Sequence, residues 1–487
     1  MGKNVLDSNP VITILDSVHC HANKHARSII LPFLSYKSTF YKRGRWVQET
    51  SLKGKKNKKV RSSGGIEETT SPLITGRKGT AGHFYTGLLP RIKKQCRKNG
   101  IKIKFKGEQD KIKPKHKKPY LKDITFRKDQ LRAIRKMAIK QRGRVIAPTG
   151  SGKTLIALGF MSMFPQLRIL FLCHTKDLLT QTCEELDKFG FDYFQLGGGK
   201  KISWSSLDNY DSMILVSTIQ SFSKAPRQYQ MTYFDAVIVD EAHHAAKEDS
   251  QYGKLMSHNL APIRIALTAT EPTKEYEILV NEGLFGPTIA ELTVEEGVEI
   301  GIIAKPKVNL ICVPYSVETN KECGWKYTNC YQYGIVKNRK RNKLIVSDTI
   351  TSIKAGEVVL IIVDKIEHGE ILKSMLKSRK IYASFVRGSM DRFIRQNVKS
   401  KMKTEKKMVA ICTKVWKEGI NIPALRHIIY AAGLKEEKGI KQAMGRGLRT
   451  TENKNKIRLT DFMDPYKYLA EHSVLRFGIY QKLGWLK

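Results

Sequence analysis

The sequence predicts an α/β protein of two tandem domains, each a parallel sheet flanked by helices, preceded by a small basic α+β domain. Three observations carry that expectation. Short apolar runs alternate with helical segments in two separate series. Positive charge is concentrated toward the N-terminus. The length, 487 residues, exceeds what one hydrophobic core serves. The boundaries follow from the change in texture: residues 1–120 for the basic domain and its linker, 121–300 for the first α/β domain, and 301–487 for the second.

Residues 1–120 hold 28 Lys and Arg against 7 Asp and Glu, an excess of 21 and half of the chain's +42. Within them, RSIILPFLSYKSTF has apolar spacing suited to a helix followed by a strand. LKGKKNKKVRSSGG, residues 52–65, is basic, poor in apolar residues and ends in glycine, and so reads as a loop. HFYTGLLPRIKKQCRKNGIKIKF reads as a turn, a basic helix stopped by Asn99-Gly100, and an alternating strand. KIKPKHKKPY, with two prolines among lysines, reads as a linker. The first α/β series follows: GRVIAPT, RILFLCHT, SMILVST, DAVIVDE and IRIALTAT. The second is KVNLICVP, VVLIIVD, YASFVRG, MVAICTK and HIIYAAG, with a basic, mostly helical stretch after its first run. Continuous Val/Ile/Leu runs are how strands buried on both faces read, and such sheets gather function at their strands' C-terminal ends.

The charge and the pI near 9.9 point to a polyanion partner. No apolar run approaches the ~20 residues of a spanning helix, so no membrane partner is expected. The opening MGKNVLDSNPVITILD lacks the charged-then-apolar pattern of a signal peptide, and the eight cysteines form no C-x-x-C pair. A cytoplasmic protein with reduced thiols is the expectation. HCHANKH, His19 to His25, is read as a solvated segment rather than a metal site, because no partner cluster stands at finger spacing.

Chemistry concentrates in three stretches. RVIAPTGSGKT is a strand, a loop through Thr149, Gly150, Ser151 and Gly152, and a helix start. Its glycines let backbone amides approach phosphates, Lys153 can reach the β- and γ-phosphates, and Thr154 can ligate Mg²⁺. The general pattern opens with glycine, where this chain has Ala147. AVIVDEAHH places Asp240 and Glu241 at the end of an apolar strand. One carboxylate can hold a nucleotide-associated Mg²⁺ through its water shell; the other can orient and deprotonate an attacking water. QAMGRGLR puts Gln442, Gly445, Arg446 and Arg449 on one helical face, where two arginines can stabilise charge on a transferring phosphoryl group. Trp204, Trp325, Trp416 and Phe385 are candidates for base stacking.

In order, FRKDQ, APTGSGKT, CHTKDLLTQ, GGGK, VSTIQSF, DEAHH, TAT, FVRG, TKVWKEGINIP and QAMGRGLR resemble the motif series of superfamily 2 helicases over about residues 120–450. The resemblance implies two RecA-like domains that bind ATP and Mg²⁺ and move along nucleic acid. It implies that Gln130 reads the adenine beside Arg127, that Lys153 and Thr154 hold phosphates and Mg²⁺, that Asp240 holds Mg²⁺, and that Glu241 is the general base. Gly419 and Asn421 would touch nucleotide, Gln442 the γ-phosphate region, and Arg446 and Arg449 would be arginine fingers. His243, Thr268 and Thr270 would couple hydrolysis to movement. Thr175, Gly198, Thr218, Gln220, Arg387 and Thr413 match backbone-contacting positions, so the track is nearly independent of base sequence. FYTGLLPRIKKQCRKNGIKI, YQYGIVKNRKRNKLI, IIVDKIEHGEIL and EHSVLRFGIY resemble the narrower group of phage UvsW-like branch-migration and fork-remodelling helicases. That likeness implies branched, duplex and single-stranded DNA as partners, a monomer moving 3′ to 5′, the host cytoplasm, and phage recombination or single-strand-binding proteins nearby. An RNA helicase and the motor subunit of a restriction or defence complex are the competing readings. DEAHH rather than DEAD weighs against the first, and the lack of an attached nuclease constellation against the second.

Overall fold

The computed structural model describes all residues except 1–8, 43–45, 50–57, 62–64, 73–81, 109–110, 149, 273, 303, 389, 414–421, 423, 436–455 and 487. The chain divides into two compact units, with the break between Glu291 and Leu292; the short stretch Ala147–Lys153 groups with the second.

The first unit opens with eight strands: β1 (Val11–Ile14), β2 (His19–Ala22), β3 (Ser35–Lys42), β4 (Trp46–Glu49), β5 (Lys58–Arg61), β6 (Gly65–Pro72), β7 (His83–Tyr85) and β8 (Lys104–Lys106). Four of them make a sheet in the order β7-β2-β1-β8, while β3 pairs with β6 and β4 with β5. Helices Lys24–Ile30 and Leu89–Lys98 close its core on Ile12, Cys20, Ile30, Leu88 and Ile92. Two expectations are corrected here. HCHANKH is not a solvated segment: His19–Ala22 is a strand with Cys20 and Ala22 turned into the core, and Asn23 caps the next helix by accepting from Ala26 N–H at 2.8 Å. Among the described residues no group of three or more His, Cys, Asp or Glu could hold a metal ion. The stretch 52–65 is not loop throughout, because Lys58–Arg61 pairs antiparallel with Trp46–Glu49. The proline-interrupted segment after β8 has neither helix nor strand, but it is pinned: Ile112 N–H donates to Gln141 Oε1 at 3.0 Å and Tyr120 N–H to Ser162 Oγ at 3.0 Å.

Seven strands follow: β9 (Arg142–Ile146), β10 (Arg168–Cys173), β11 (Phe194–Leu196), β12 (Met213–Thr218), β13 (Ala236–Asp240), β14 (Ile263–Thr268) and β15 (Thr288–Glu291). They form one parallel sheet in the order β11-β12-β10-β13-β14-β9-β15. The unbroken apolar runs are explained by burial on both sides. Ile169 and Phe171 of β10 and Ile238 of β13 face one core with the helix Lys153–Met163, and their neighbours Leu170, Leu172, Val237 and Val239 face another. Each such side chain contributes about 1.5–3 kcal/mol. The N-terminal sheet seats on this body. Arg91 donates twice to Glu282 Oε2, at 3.0 and 2.7 Å, and Tyr85 Oη donates to Glu248 at 2.7 Å. Arg142, the first residue of β9, donates to the Ser17 carbonyl. Gly283 lies so close to Tyr85 that a Cβ would sit 2.9 Å from its ring.

The second unit has a six-stranded parallel sheet of β16 (Lys305–Cys312), β17 (Val358–Ile362), β18 (Ala383–Val386), β19 (Met408–Cys412), β20 (Leu425–Tyr430) and β21 (Lys456–Met463), ordered β16-β21-β20-β17-β19-β18. Val358, Leu360 and Ile362 face one core, Val359 and Ile361 the other. β21 carries charge into this core: Asp461 accepts from Arg476 Nε at 2.8 Å and from Tyr480 Oη at 2.7 Å. Beside it, Asp464 accepts from Arg341 Nε at 2.8 Å, and all four ionic side chains are 0–1% exposed. No described helix in either unit is long and apolar enough to cross a membrane.

Candidate functional site

β9, β14 and β13 are adjacent and in register, Ile146 opposite Thr268 and Leu267 opposite Asp240. The C-terminal ends of these strands therefore lie side by side, and such strand ends are where open parallel sheets assemble binding sites. After β9 the loop turns on Gly150 and Gly152, with φ of +94° and +89°, conformations that side chains with a Cβ rarely adopt. Ser151 is buried, Lys153 Nζ donates to the Ala147 carbonyl at 3.0 Å, and Lys153 and Thr154 begin the helix Lys153–Met163. A helix start behind such a loop suits phosphate. Thr149 lies outside the described residues. Before β9, Gln130 is buried and its Oε1 accepts from Arg127 N–H at 3.2 Å, capping the helix Lys128–Lys140. Arg127 is held in turn by a two-pronged contact to Asp129 at 3.1 and 3.0 Å.

The acidic turn is more tightly specified than its sequence suggests. Asp240 ends β13 almost buried, and its Oδ1 accepts from Glu241 N–H at 3.0 Å. Glu241 is left-handed, φ +53° and ψ +43°, which costs of order 1–3 kcal/mol in a non-glycine residue held by its surroundings. One anchor is Asn281, whose amide donates to the Ala242 carbonyl at 2.8 Å. His243 Nδ1 lies 3.2 Å from Glu241 Oε2 and 3.2 Å from Thr268 Oγ1. The Thr268 hydroxyl donates to the Thr270 carbonyl at 2.9 Å, so it accepts from His243. The carboxylate can only accept. The network thus assigns the proton to His243 Nδ1, shared between the acidic turn and the TAT turn. Oxygen donors such as Thr154 and Asp240 are the chemistry Mg²⁺ prefers.

Four of the positions expected to contact a nucleic-acid backbone gather along the ends of β10, β12 and β11. Thr175 and Thr218 both act as helix caps, accepting from Leu178 and Ser221 N–H at 3.3 Å each. Gln220 Nε2 donates to the His174 carbonyl at 3.3 Å. Gly198, at φ +66°, belongs to a three-glycine turn in which Gly197 packs on Thr218 and Ser221. In the second unit Arg387 pairs with exposed Glu370 at 3.2 Å, and Thr413 is buried with its N–H on the Val386 carbonyl. Gly419, Asn421, Gln442, Gly445, Arg446, Arg449 and Trp416 lie outside the described residues. Of the other candidate stacking rings, Trp204 packs on Tyr229 and Phe222, Phe385 is buried, and Trp325 is 85% exposed. Sequence reasoning overlooked His174. Its ring stacks on His244 at 3.6 Å, a partner 70 residues away in the chain, and no local spacing signals it.

Two family descriptions match the chain: "Type III restriction enzyme, res subunit" over residues 123–273 and "Helicase conserved C-terminal domain" over residues 339–451. It is 25% identical to the ATP-dependent DNA helicase uvsW of Enterobacteria phage T4, over 67% of this chain and 66% of that protein, just under two thirds of its length. It is 24% identical to the DNA 3′-5′ translocase XPB2 of Sulfurisphaera tokodaii, over 68% of this chain and 80% of the relative. Among solved structures, Saccharomyces cerevisiae Dbp5 bound to RNA and ADP BeF3 shares the fold with a TM-score of 0.54. That match has 15% identity and covers 74% of this chain and 88% of the other.

Proposed function

We propose that the chain, similar to the phage helicase uvsW and to the translocase XPB2 and matched by a helicase C-terminal description over residues 339–451, is an ATP-dependent DNA helicase or translocase of superfamily 2 that remodels branched DNA: forks, Holliday junctions and R-loops. The observation that carries this reading is the polar network at the ends of β13 and β14, which runs from the acidic turn through His243 to Thr268; β9, the next strand in the sheet, leads on in sequence to Gly150, Gly152 and Lys153.

In this reading the loop amides, Lys153 and Thr154 hold the nucleotide's phosphates, and Asp240 fixes the Mg²⁺ water shell. Bound ATP and Mg²⁺ supply a phosphoanhydride bond and the charge that screens it. Glu241 takes a proton from water. Its left-handed backbone and its contact with His243 aim the carboxylate. When Glu241 becomes protonated it loses negative charge facing Nδ1–H, so His243 leans toward Thr268. Hydrolysis thereby becomes a rearrangement of the TAT turn. Thr175, Gly198, Thr218 and Gln220 follow the sugar-phosphate backbone from the first unit, Arg387 and Thr413 from the second. Gln442, Arg446, Arg449, Gly419 and Asn421 complete the nucleotide contacts. The basic N-terminal sheet grips duplex. Binding then weakens steeply with salt, with a log–log slope of ~0.9 per neutralised phosphate.

The test is ATP turnover and product release on labelled DNA forks, Holliday junctions, R-loops and RNA duplexes side by side, with Lys153→Ala as control. Branched DNA is expected to stimulate most, and the variant to bind DNA without hydrolysing ATP. Stronger stimulation by RNA duplexes, or normal DNA-stimulated hydrolysis by the variant, would overturn the proposal.

A further inference from the structure

A ladder of rings crosses the first unit between the polymer-side loops and the acidic turn. His174 and His244 stack with centroids 3.6 Å apart and planes 9° apart. Tyr252 extends the stack, 6.0 Å from His174 and 6.5 Å from His244. At the other edge His243 lies 4.2 Å from His244. Both ends are tethered. The His174 carbonyl accepts from Gln220, and the next residue, Thr175, caps the helix Lys176–Lys188. His244 N–H donates to the Glu241 carbonyl at 3.1 Å, and its own carbonyl accepts from Ser250 Oγ at 3.2 Å. Neither imidazole is needed to hold phosphate, Mg²⁺ or water in the mechanism above.

We propose that the His174–His244 stack is a positioning device through which engagement of a nucleic-acid backbone at Thr175 and Gln220 sets the geometry of the Glu241 turn. The inference rests on the helicase reading and adds a regulatory link within that site. Its physical basis is contact. Rings stacked 3.6 Å apart are in van der Waals contact and resist closer approach, so a shift of the β10 turn toward its partner is passed to the turn after β13, where Glu241 sits in a strained conformation. Packed side chains are one carrier of such coupling, and the ladder is a run of ring contacts between the two turns. The two histidines act through Glu241 and are not catalytic residues themselves.

The experiment uses the full chain, with a single-stranded DNA oligonucleotide as probe. It measures basal hydrolysis, stimulated hydrolysis and oligonucleotide Kd for the wild type, His174→Ala, His174→Phe, His244→Ala and the double alanine variant. His174→Ala is expected to lose roughly tenfold of the stimulation, with basal turnover and Kd within about twofold of wild type. His174→Phe, which keeps a flat ring, should recover most of it. The double variant should be no worse than either single one, because both remove the same contact. Unchanged stimulation in His174→Ala overturns the inference. So does an equal fall in basal and stimulated rates, and so does a phenylalanine variant no better than alanine. A wild type that oligonucleotides do not stimulate would instead overturn the helicase reading beneath it.

Discussion

Among the described residues, the fully buried arginines of the two units, Arg264 in the first and Arg341 and Arg476 in the second, are held in opposite ways. In the first, Arg264 on β14 is fully buried and donates to the carbonyls of Leu284, at 2.8 Å, Asn259 and Met256. In the second, Arg341 and Arg476 are equally buried but face the carboxylates of Asp464 and Asp461. Burial pushes the Arg264 guanidinium well below its usual pKa range, while Asp461 and Asp464 hold that of Arg476 above it. The first unit uses a cation to order backbone at the start of β14, at the opposite end of that strand from Thr268. The second pins its C-terminal helix, Lys467–Lys482, to β21 by charge pairing. The lesson concerns fragility: a carbonyl that loses its donor is merely underused, whereas a buried ion that loses its partner is left with an uncompensated charge.

The largest effect is therefore expected from Asp464→Ala, which strands Arg341 and should destabilise the second unit by about 3–5 kcal/mol. Hydrogen exchange should show lost protection in β17 and β20 while β10 and β13 stay protected; equal loss in both units would break the contrast. Next, Arg264→Met leaves three carbonyls without that donor and should cost the first unit roughly 2–3 kcal/mol. A denaturation midpoint that moves more than in Asp464→Ala would reverse the ranking.

Acid gives a smaller, graded effect on the second unit. His368 and His427 are pushed down to about 3, chiefly by burial and then by the nearby Arg341 and Arg458. The sign follows from proton uptake. Between pH 6.5 and about 3 the unfolded chain binds protons that these folded imidazoles refuse. Stability is therefore full above 6.5 and falls as pH drops, by up to ~1.4 kcal/mol per unit for each histidine. Burial pushes Asp464 upward, which acts in the opposite sense, but through one group against two. Protection of β17, corrected for intrinsic exchange, should fall between about pH 7.5 and about pH 5.5; a flat profile would contradict it. The smallest stability change, ~1 kcal/mol, is expected for Thr268→Val, which removes three hydrogen bonds made by the Thr268 hydroxyl, to His243 Nδ1 and to the Thr270 carbonyl and N–H. Its value lies in turnover: DNA unwound per ATP hydrolysed should fall, and an unchanged ratio would sever His243 from coupling.

Much of this was legible before any coordinates. Ten strands announced themselves because runs such as AVIVD and VVLII are apolar on both faces. β21 escaped because Arg458 and Asp461 interrupt KIRLTDFM, and they suit a buried strand only once Glu357 and Arg476 are known to face them. The three- and four-residue strands β11 and β15 carry too short a pattern, and in His19–Ala22 the alternation of burial spans four residues. At the site, residue types and spacing pointed to the loop and the acidic pair. The left-handed turn at Glu241, the proton on His243 Nδ1 and the His174 stack depend on chain segments that meet only in space.

The seating of the N-terminal sheet has a mechanical consequence. Its ties to the first α/β body enter at Ser17–Arg142, Arg91–Glu282 and Tyr85–Glu248. Arg142 opens a five-residue strand whose far end, Ile146, runs straight into the glycine loop. If the N-terminal sheet grips duplex as proposed, load on it enters β9 at Arg142 and the helix Glu275–Phe285 at Glu282. Tension in the polymer would then be borne by the same strand that leads on in sequence to the glycines.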